Sequence, residues 1–62
     1  MGLADNKTRF PKVLVVDDHA AARESTALVL SCAGFEVATA ASAAEALALL
    51  DTQLPEVVVT DL

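Results

Sequence analysis

The sequence predicts an α/β protein built as half of a doubly wound parallel sheet. Two runs rich in β-branched residues, "KVLVV" and "EVVVT", have the continuous apolar pattern of strands buried on both faces. Segments of helical length lie between the strand patterns. Strands that alternate with helices of ten to fifteen residues pair in parallel through right-handed crossovers, so we expect the order strand, helix, strand, helix, strand.

The first half of this pattern has clear boundaries. The first predicted strand covers residues 12–16 and ends in Asp17 and Asp18. No Gly or Pro occurs from His19 to Ala33, which predicts a helix there. Gly34 follows, at the position beyond a helix C-cap where the left-handed conformation favours glycine. The spacing i, i+3, i+4, i+7 predicts that the core face of this helix consists of Thr26, Val29, Leu30 and Ala33.

The second half begins with "FEVATA", which alternates as a second strand. Ser42 and Glu45 then form the S-x-x-E pattern of a capping box, which predicts the start of a second helix. Pro55 prevents that helix from continuing, and "EVVVT" is the third predicted strand. The predicted inner face of the second helix consists of Ala46, Leu47 and Leu50.

Composition limits the classes of protein to consider. The chain has 62 residues, enough for one domain, and its net charge of −5 argues against a nucleic-acid surface. No apolar run reaches the roughly 20 residues of a membrane span. Cys32 is the single cysteine, which predicts a reducing, cytoplasmic location. We expect residues 1–11 to be a disordered leader and residues 12–62 to form the folded part.

Three aspartates follow strand patterns and form the candidate site. Asp17 and Asp18 end the first strand, and Asp61 ends the third. In an open parallel sheet, ligands bind outside the carboxyl ends of the strands, where the strand order reverses. If the first strand is central, these carboxylates meet at that point and can share one hard cation such as Mg²⁺. Asp61, alone at its strand end, is then the candidate nucleophile that forms an acyl phosphate.

Simpler interpretations remain open for each residue. Asp17 and Asp18 could cap the helix that follows them, where the helix dipole favours carboxylates. His19 could be a base or a ligand, or could simply point outward from the loop. Arg23 could reach an acidic partner or make an ordinary surface contact.

The sequence from Lys12 to Leu62 resembles the first half of a response regulator receiver domain, the phospho-accepting module of two-component signalling. The resemblance depends on a paired acid after the first strand, an arginine five residues past the second acid, Gly34-Phe35, "EAL" and "LPEVVVTDL". It implies a flavodoxin-like sheet with strand order 2-1-3, truncated after the third strand.

The resemblance also assigns roles to residues. Asp61 matches the phosphorylated aspartate, Asp18 the acid that binds Mg²⁺ directly, and Asp17 the acid that acts through a metal-bound water. The first helix matches the surface that docks on a histidine kinase or histidine phosphotransfer protein, which places His19, Ala22 and Ser25 near that partner. The implied role is that of a phospho-acceptor and not of an enzyme.

One departure from the family pattern affects the expected activity. The Ser or Thr and the Lys that hold the phosphoryl oxygens in receiver domains come from later strands, which these 62 residues do not contain. We therefore expect a truncated module with weak Mg²⁺ binding and impaired phosphotransfer.

Two other functions compete with this interpretation. A non-catalytic fragment could self-associate or dock a partner through the exposed edge of the third strand. A dinucleotide-binding half-domain is excluded, because it needs G-x-G-x-x-G after the first strand, where this chain has "DDHAAA".

Overall fold

The computed structural model describes residues 11–61 and contains three strands and two helices. The elements are β1 (Lys12–Asp17), α1 (Ala20–Cys32), β2 (Glu36–Ala40), α2 (Ala43–Gln53) and β3 (Val57–Asp61). The strands form one open parallel sheet in the order β2-β1-β3. The predicted βαβαβ architecture with the first strand in the centre is confirmed. The predicted leader, residues 1–11, lies outside the described residues except for Pro11.

β1 is the buried centre of the sheet because both of its edges are paired and both of its faces are covered. Its residues from Val13 to Asp17 are all buried. Side chains alternate between the two faces of a strand. Leu14 and Val16 therefore face one side of the sheet, and Val13, Val15 and Asp17 face the other.

The helix α2 covers the Leu14 side of the sheet. Ala46 and Leu49 pack against a buried cluster that contains Leu14, Val16 and Ala40. The predicted inner face was therefore only partly right, since Leu47 and Leu50 are 65% and 37% exposed and Leu49 packs inward instead. Several spacings in an alanine- and leucine-rich helix satisfy the helical period, so the sequence alone did not fix its rotation.

The helix α1 contacts β1 and β2. Its half-buried residues are Arg23, Thr26, Ala27 and Leu30, which lie along one face. The prediction placed Val29 and Ala33 on this face, but both are exposed. The buried face therefore begins earlier along the helix than predicted and includes Arg23. Hydropathy had assigned this charged residue to the surface.

The helix ends follow the predicted local chemistry. Gly34 has φ of 102°, and a pair of hydrogen bonds, from Gly34 N–H to Ser31 O and from Phe35 N–H to Leu30 O, closes α1 as a Schellman motif. Ser42 Oγ accepts from Glu45 N–H at 3.1 Å, and Glu45 Oε1 accepts from Ala41 N–H. The capping box is confirmed, with the glutamate reaching one residue before the N-cap.

Hydrogen bonds of Lys12 connect the strands at the amino-terminal end of the sheet. Its carbonyl accepts from Glu56 N–H at 2.8 Å, and its own N–H donates to Glu56 Oε1 at 3.1 Å. Its ammonium donates to Gln53 Oε1 at 2.9 Å and lies 3.4 Å from Glu36 Oε2. These contacts hold the start of β3 beside the start of β1, and so set the pairing of every residue beyond them.

β3 is the least covered strand. All five of its residues are exposed, including Val57, Val58 and Val59 at 50%, 47% and 40%. The sequence pattern predicted that this strand is buried on both faces, but within the described residues the strand is exposed. Among residues 11–61, no helix is long and apolar enough to cross a bilayer.

The packing gives a direct prediction about stability. Replacing Leu14, which is fully buried, with alanine should lower the free energy of unfolding by about 3 kcal/mol, because it removes apolar contacts and leaves a cavity. The matched change Leu47→Ala should stay within about 0.5 kcal/mol, because that side chain is mostly in solvent. Urea titration followed by circular dichroism measures both. Equal losses would contradict the packing of α2 described above.

Candidate functional site

The carboxyl ends of β1 and β3 bring two aspartates to adjacent positions. Asp17 pairs in register with Asp61, as Val13 pairs with Val57 at the other end of the same ladder. Register partners on neighbouring parallel strands are separated by about 4.8 Å and direct their side chains to the same face. Both acids thus lie at one rim of the sheet, as the strand order requires.

Asp17 is the buried member of the group, with 5% of its surface exposed. Its Oδ1 accepts a hydrogen bond from His19 N–H at 2.9 Å, which folds the loop between β1 and α1 back over the strand end. A buried carboxylate is costly unless it is hydrogen-bonded, and this loop amide supplies such a bond. The bond fixes the loop as well as the side chain.

Arg23 reinforces the same loop from the first turn of α1. Its Nη1 donates to the carbonyl oxygen of Asp17 at 2.8 Å. The guanidinium therefore binds the backbone of the candidate site. The sequence analysis considered an acidic partner or an ordinary surface contact for this arginine, and its spacing from the paired acid was the one signal that could have marked it as a positioning residue.

Three potential ligand side chains meet in this loop. One oxygen each from Asp17 and Asp18 and one nitrogen from His19 lie within 4.8 Å of one another. The Nδ1 atom of His19 is 3.0 Å from Asp18 Oδ1 and 3.6 Å from Asp17 Oδ1. Among residues 11–61, these three side chains form the group that could hold a metal ion, and Asp61 does not belong to it.

The structure agrees only in part with the interpretation that the two acids cap α1. Asp17 binds the amide of His19, which is the N-cap residue of α1, and His19 itself makes no side-chain cap. No acidic residue lies in the first turn of α1. Asp18 is 60% exposed, with its oxygen directed at the His19 ring.

The residues predicted to dock a partner lie together at the start of α1. His19, Ala22 and Ser25 are all exposed. An open groove of about 440 Å³ lies between α1 and β2. None of the predicted site residues lines that groove, whose walls are Arg23, Glu24, Ala27, Leu28, Ser31, Val37 and Thr39.

A family model named response regulator receiver domain matches residues 13–62, which is most of the chain. The chain belongs to the response regulator receiver domain family. No curated protein and no solved structure matches it significantly. Membership in the receiver family carries a phospho-acceptor role in two-component signalling and interaction with histidine kinases or phosphotransfer proteins.

Receiver domains bind Mg²⁺ at an acidic site, and the donor set of this receiver suits that ion. Asp17, Asp18 and Asp61 offer carboxylate oxygens, the hard ligands that Mg²⁺ prefers. Mg²⁺ is normally held by one or two protein carboxylates together with waters. The rim therefore has enough oxygen donors without requiring all three acids at once.

Proposed function

We propose that this chain is the phospho-accepting part of a two-component phosphorelay, with Asp61 as the acceptor. The observation that supports this most strongly is the register pairing of Asp61 with Asp17 at the carboxyl rim of a receiver-family sheet. A carboxylate at the end of an edge strand is accessible to a phosphohistidine donor, because Asp61 is exposed. A kinase or phosphotransfer protein would bring that donor.

The chemistry assigned to Asp61 is a nucleophilic transfer. One of its carboxylate oxygens attacks phosphorus, the bond from phosphorus to the donor imidazole nitrogen breaks, and the electron pair of that bond remains on the imidazole. The product is an acyl phosphate on Asp61. Bound Mg²⁺ would supply charge neutralisation for the phosphoryl oxygens.

Asp17 and Asp18 serve this transfer by holding the cation, in our proposal. Asp17 is fixed by the His19 amide and by the carbonyl contact of Arg23, so its carboxylate is set in place before any ligand arrives. Asp18 is exposed, so an ion can reach its carboxylate from solvent. We propose Asp18 as the direct ligand and Asp17 as the acid that acts through a bound water.

The partner and the location follow from the same proposal. His19, Ala22 and Ser25 would contact the histidine-bearing helices of the donor, since they are exposed beside the acceptor rim. The cytoplasm suits a receiver whose Cys32 is a free, exposed thiol. The protein would be a signalling acceptor and not an enzyme with turnover.

Intact-mass analysis after incubation with acetyl phosphate and Mg²⁺ tests the acceptor. We expect a gain of one phosphoryl group in the parent chain and in Asp51→Asn, which alters an exposed aspartate on α2. Asp61→Asn should gain none, because it lacks the nucleophile, and chelation of Mg²⁺ should abolish the gain in the parent chain and in Asp51→Asn.

The expected rate is low for the chain of 62 residues. Among residues 11–61, the cations are Lys12, at the opposite edge of the sheet, and Arg23, which binds the Asp17 carbonyl. Each missing donor in a transfer site commonly lowers the rate by about 10² to 10³. A phosphoryl group on Asp61→Asn, or on the parent chain without Mg²⁺, would contradict the proposal.

A second candidate function is association through β3. Three exposed valines and a strand edge that no other described segment of residues 11–61 pairs with form a surface that templates strand pairing. We propose pairing of two copies along this edge as the alternative role, in which the acidic rim has no part.

Sedimentation velocity with and without Mg²⁺ separates the two candidates. The acceptor role predicts a monomer both with and without Mg²⁺. Association through β3 predicts a dimer whose population does not depend on Mg²⁺. A Val58→Lys variant, which charges the exposed edge, should dissolve that dimer and should leave a monomer unchanged.

A further inference from the structure

Arg23 is a half-buried arginine beside the acidic rim, yet its guanidinium does not pair with the acids there. Its Nη1 donates to the main-chain oxygen of Asp17 at 2.8 Å. Within residues 11–61, no carboxylate oxygen lies within 4.0 Å of the guanidinium nitrogens. A charged donor that binds a carbonyl orders the backbone and leaves the neighbouring carboxylates without a counterion.

Three hydrogen bonds connect Asp17, His19 and Arg23 in a closed circuit. The N–H of His19 donates to Asp17 Oδ1 at 2.9 Å, and the N–H of Arg23 donates to the His19 carbonyl at 2.9 Å. The guanidinium of Arg23 then returns to the Asp17 carbonyl. Asp17 is thus held at its carboxylate and at its backbone, and removal of the guanidinium opens the circuit at the backbone.

The guanidinium acts on a cation at the rim in two opposite ways. Its positive charge repels the ion, but solvent and salt screen the charge of a half-exposed group. Its hydrogen bond orders Asp17, and partners that orient metal-binding residues from outside the coordination shell change metal affinity by about 10- to 100-fold. The ordering effect is the larger of the two, because the guanidinium binds the carbonyl and stands off from the ligand oxygens.

We infer that Arg23 is a positioning residue that raises the Mg²⁺ affinity of the rim by ordering Asp17 through its main-chain oxygen, without serving as a counterion to the acids. The inference rests on the proposed function for the cation site itself. It adds a direction that charge alone would reverse. Removal of this positive group from an acidic rim lowers the affinity of the rim for a cation.

Two substitutions in the full chain test the direction by calorimetric titration with Mg²⁺. Arg23→Met keeps an apolar stem but lacks the charge and the donor, and its affinity should be about tenfold lower than that of the parent chain. Arg23→Lys keeps a charged donor on a shorter side chain and should recover part of the loss, because a carbonyl needs only one donor. Glu24→Gln, at the exposed neighbouring position on α1, is the control and should keep the parent affinity.

Two further measurements separate positioning from a purely structural role. At saturating Mg²⁺, Arg23→Met should accept a phosphoryl group from acetyl phosphate at close to the parent rate, because the guanidinium binds a carbonyl and not the reacting carboxylate. At low Mg²⁺ its rate should fall with its affinity. In the parent chain labelled with ¹⁵N-arginine, the bound guanidinium of Arg23 should rotate slowly both before and after Mg²⁺ is added.

Two results would overturn the inference. An unchanged or higher Mg²⁺ affinity in folded Arg23→Met would show that ordering by the guanidinium does not outweigh its charge. A guanidinium that rotates freely in the parent chain at saturating Mg²⁺ would show that the contact is not kept in the loaded site, and this result needs no variant to fold. Either result with phosphorylation of Asp61 intact in the parent chain removes this inference alone, whereas loss of that phosphorylation removes the proposed function.

Discussion

The pairing of Lys12 with Glu56 is the contact on which the candidate site depends. Two main-chain and side-chain hydrogen bonds join these residues at the amino edge of the sheet. Five residues further along each strand, the chain reaches Asp17 and Asp61, which are register partners. A slip of one residue would turn every β3 side chain to the other face of the sheet. The contact therefore decides whether the two acids share a rim.

Charge makes that rim reactive toward cations. Two unit charges at the strand spacing of about 4.8 Å repel each other by about 3.5 kcal/mol at an effective dielectric constant of about 20, and solvent at exposed Asp61 reduces this. Asp18 adds a third negative group beside Asp17. A divalent cation relieves this repulsion. Asp17 is also prepared for cation binding. The loop amide holds its buried carboxylate in place, so the side chain does not have to be ordered when a cation binds.

The order of elements and the location of the acids were predictable from the sequence because they depend on local signals. A continuous apolar run marked β1 as a strand, Gly34 marked the end of α1, and the serine and glutamate of the capping box marked the start of α2. Parallel pairing then placed the ends of β1 and β3 at one edge. No long-range contact had to be known for these steps.

The rotation of the helices and the contents of the loop were not predictable in this way. The inward face of α1 includes Arg23 because a hydrogen bond to the Asp17 carbonyl stabilises it there, which hydropathy does not register. On α2, Leu49 packs inward in place of Leu47, because more than one stripe of apolar residues on this helix satisfies the helical period. His19 is exposed, as expected for an outward-pointing loop residue, but its approach to the acids depends on a backbone turn made by Asp17.

The most direct test of the account is the register of β1 against β3, measured by cross-strand nuclear Overhauser effects in the labelled chain. The account predicts contacts that pair Val15 with Val59, Val16 with Thr60 and Asp17 with Asp61, in the parallel pattern. Contacts shifted by one residue, or an antiparallel pattern, would contradict it, because Asp61 would then leave the face that Asp17 occupies.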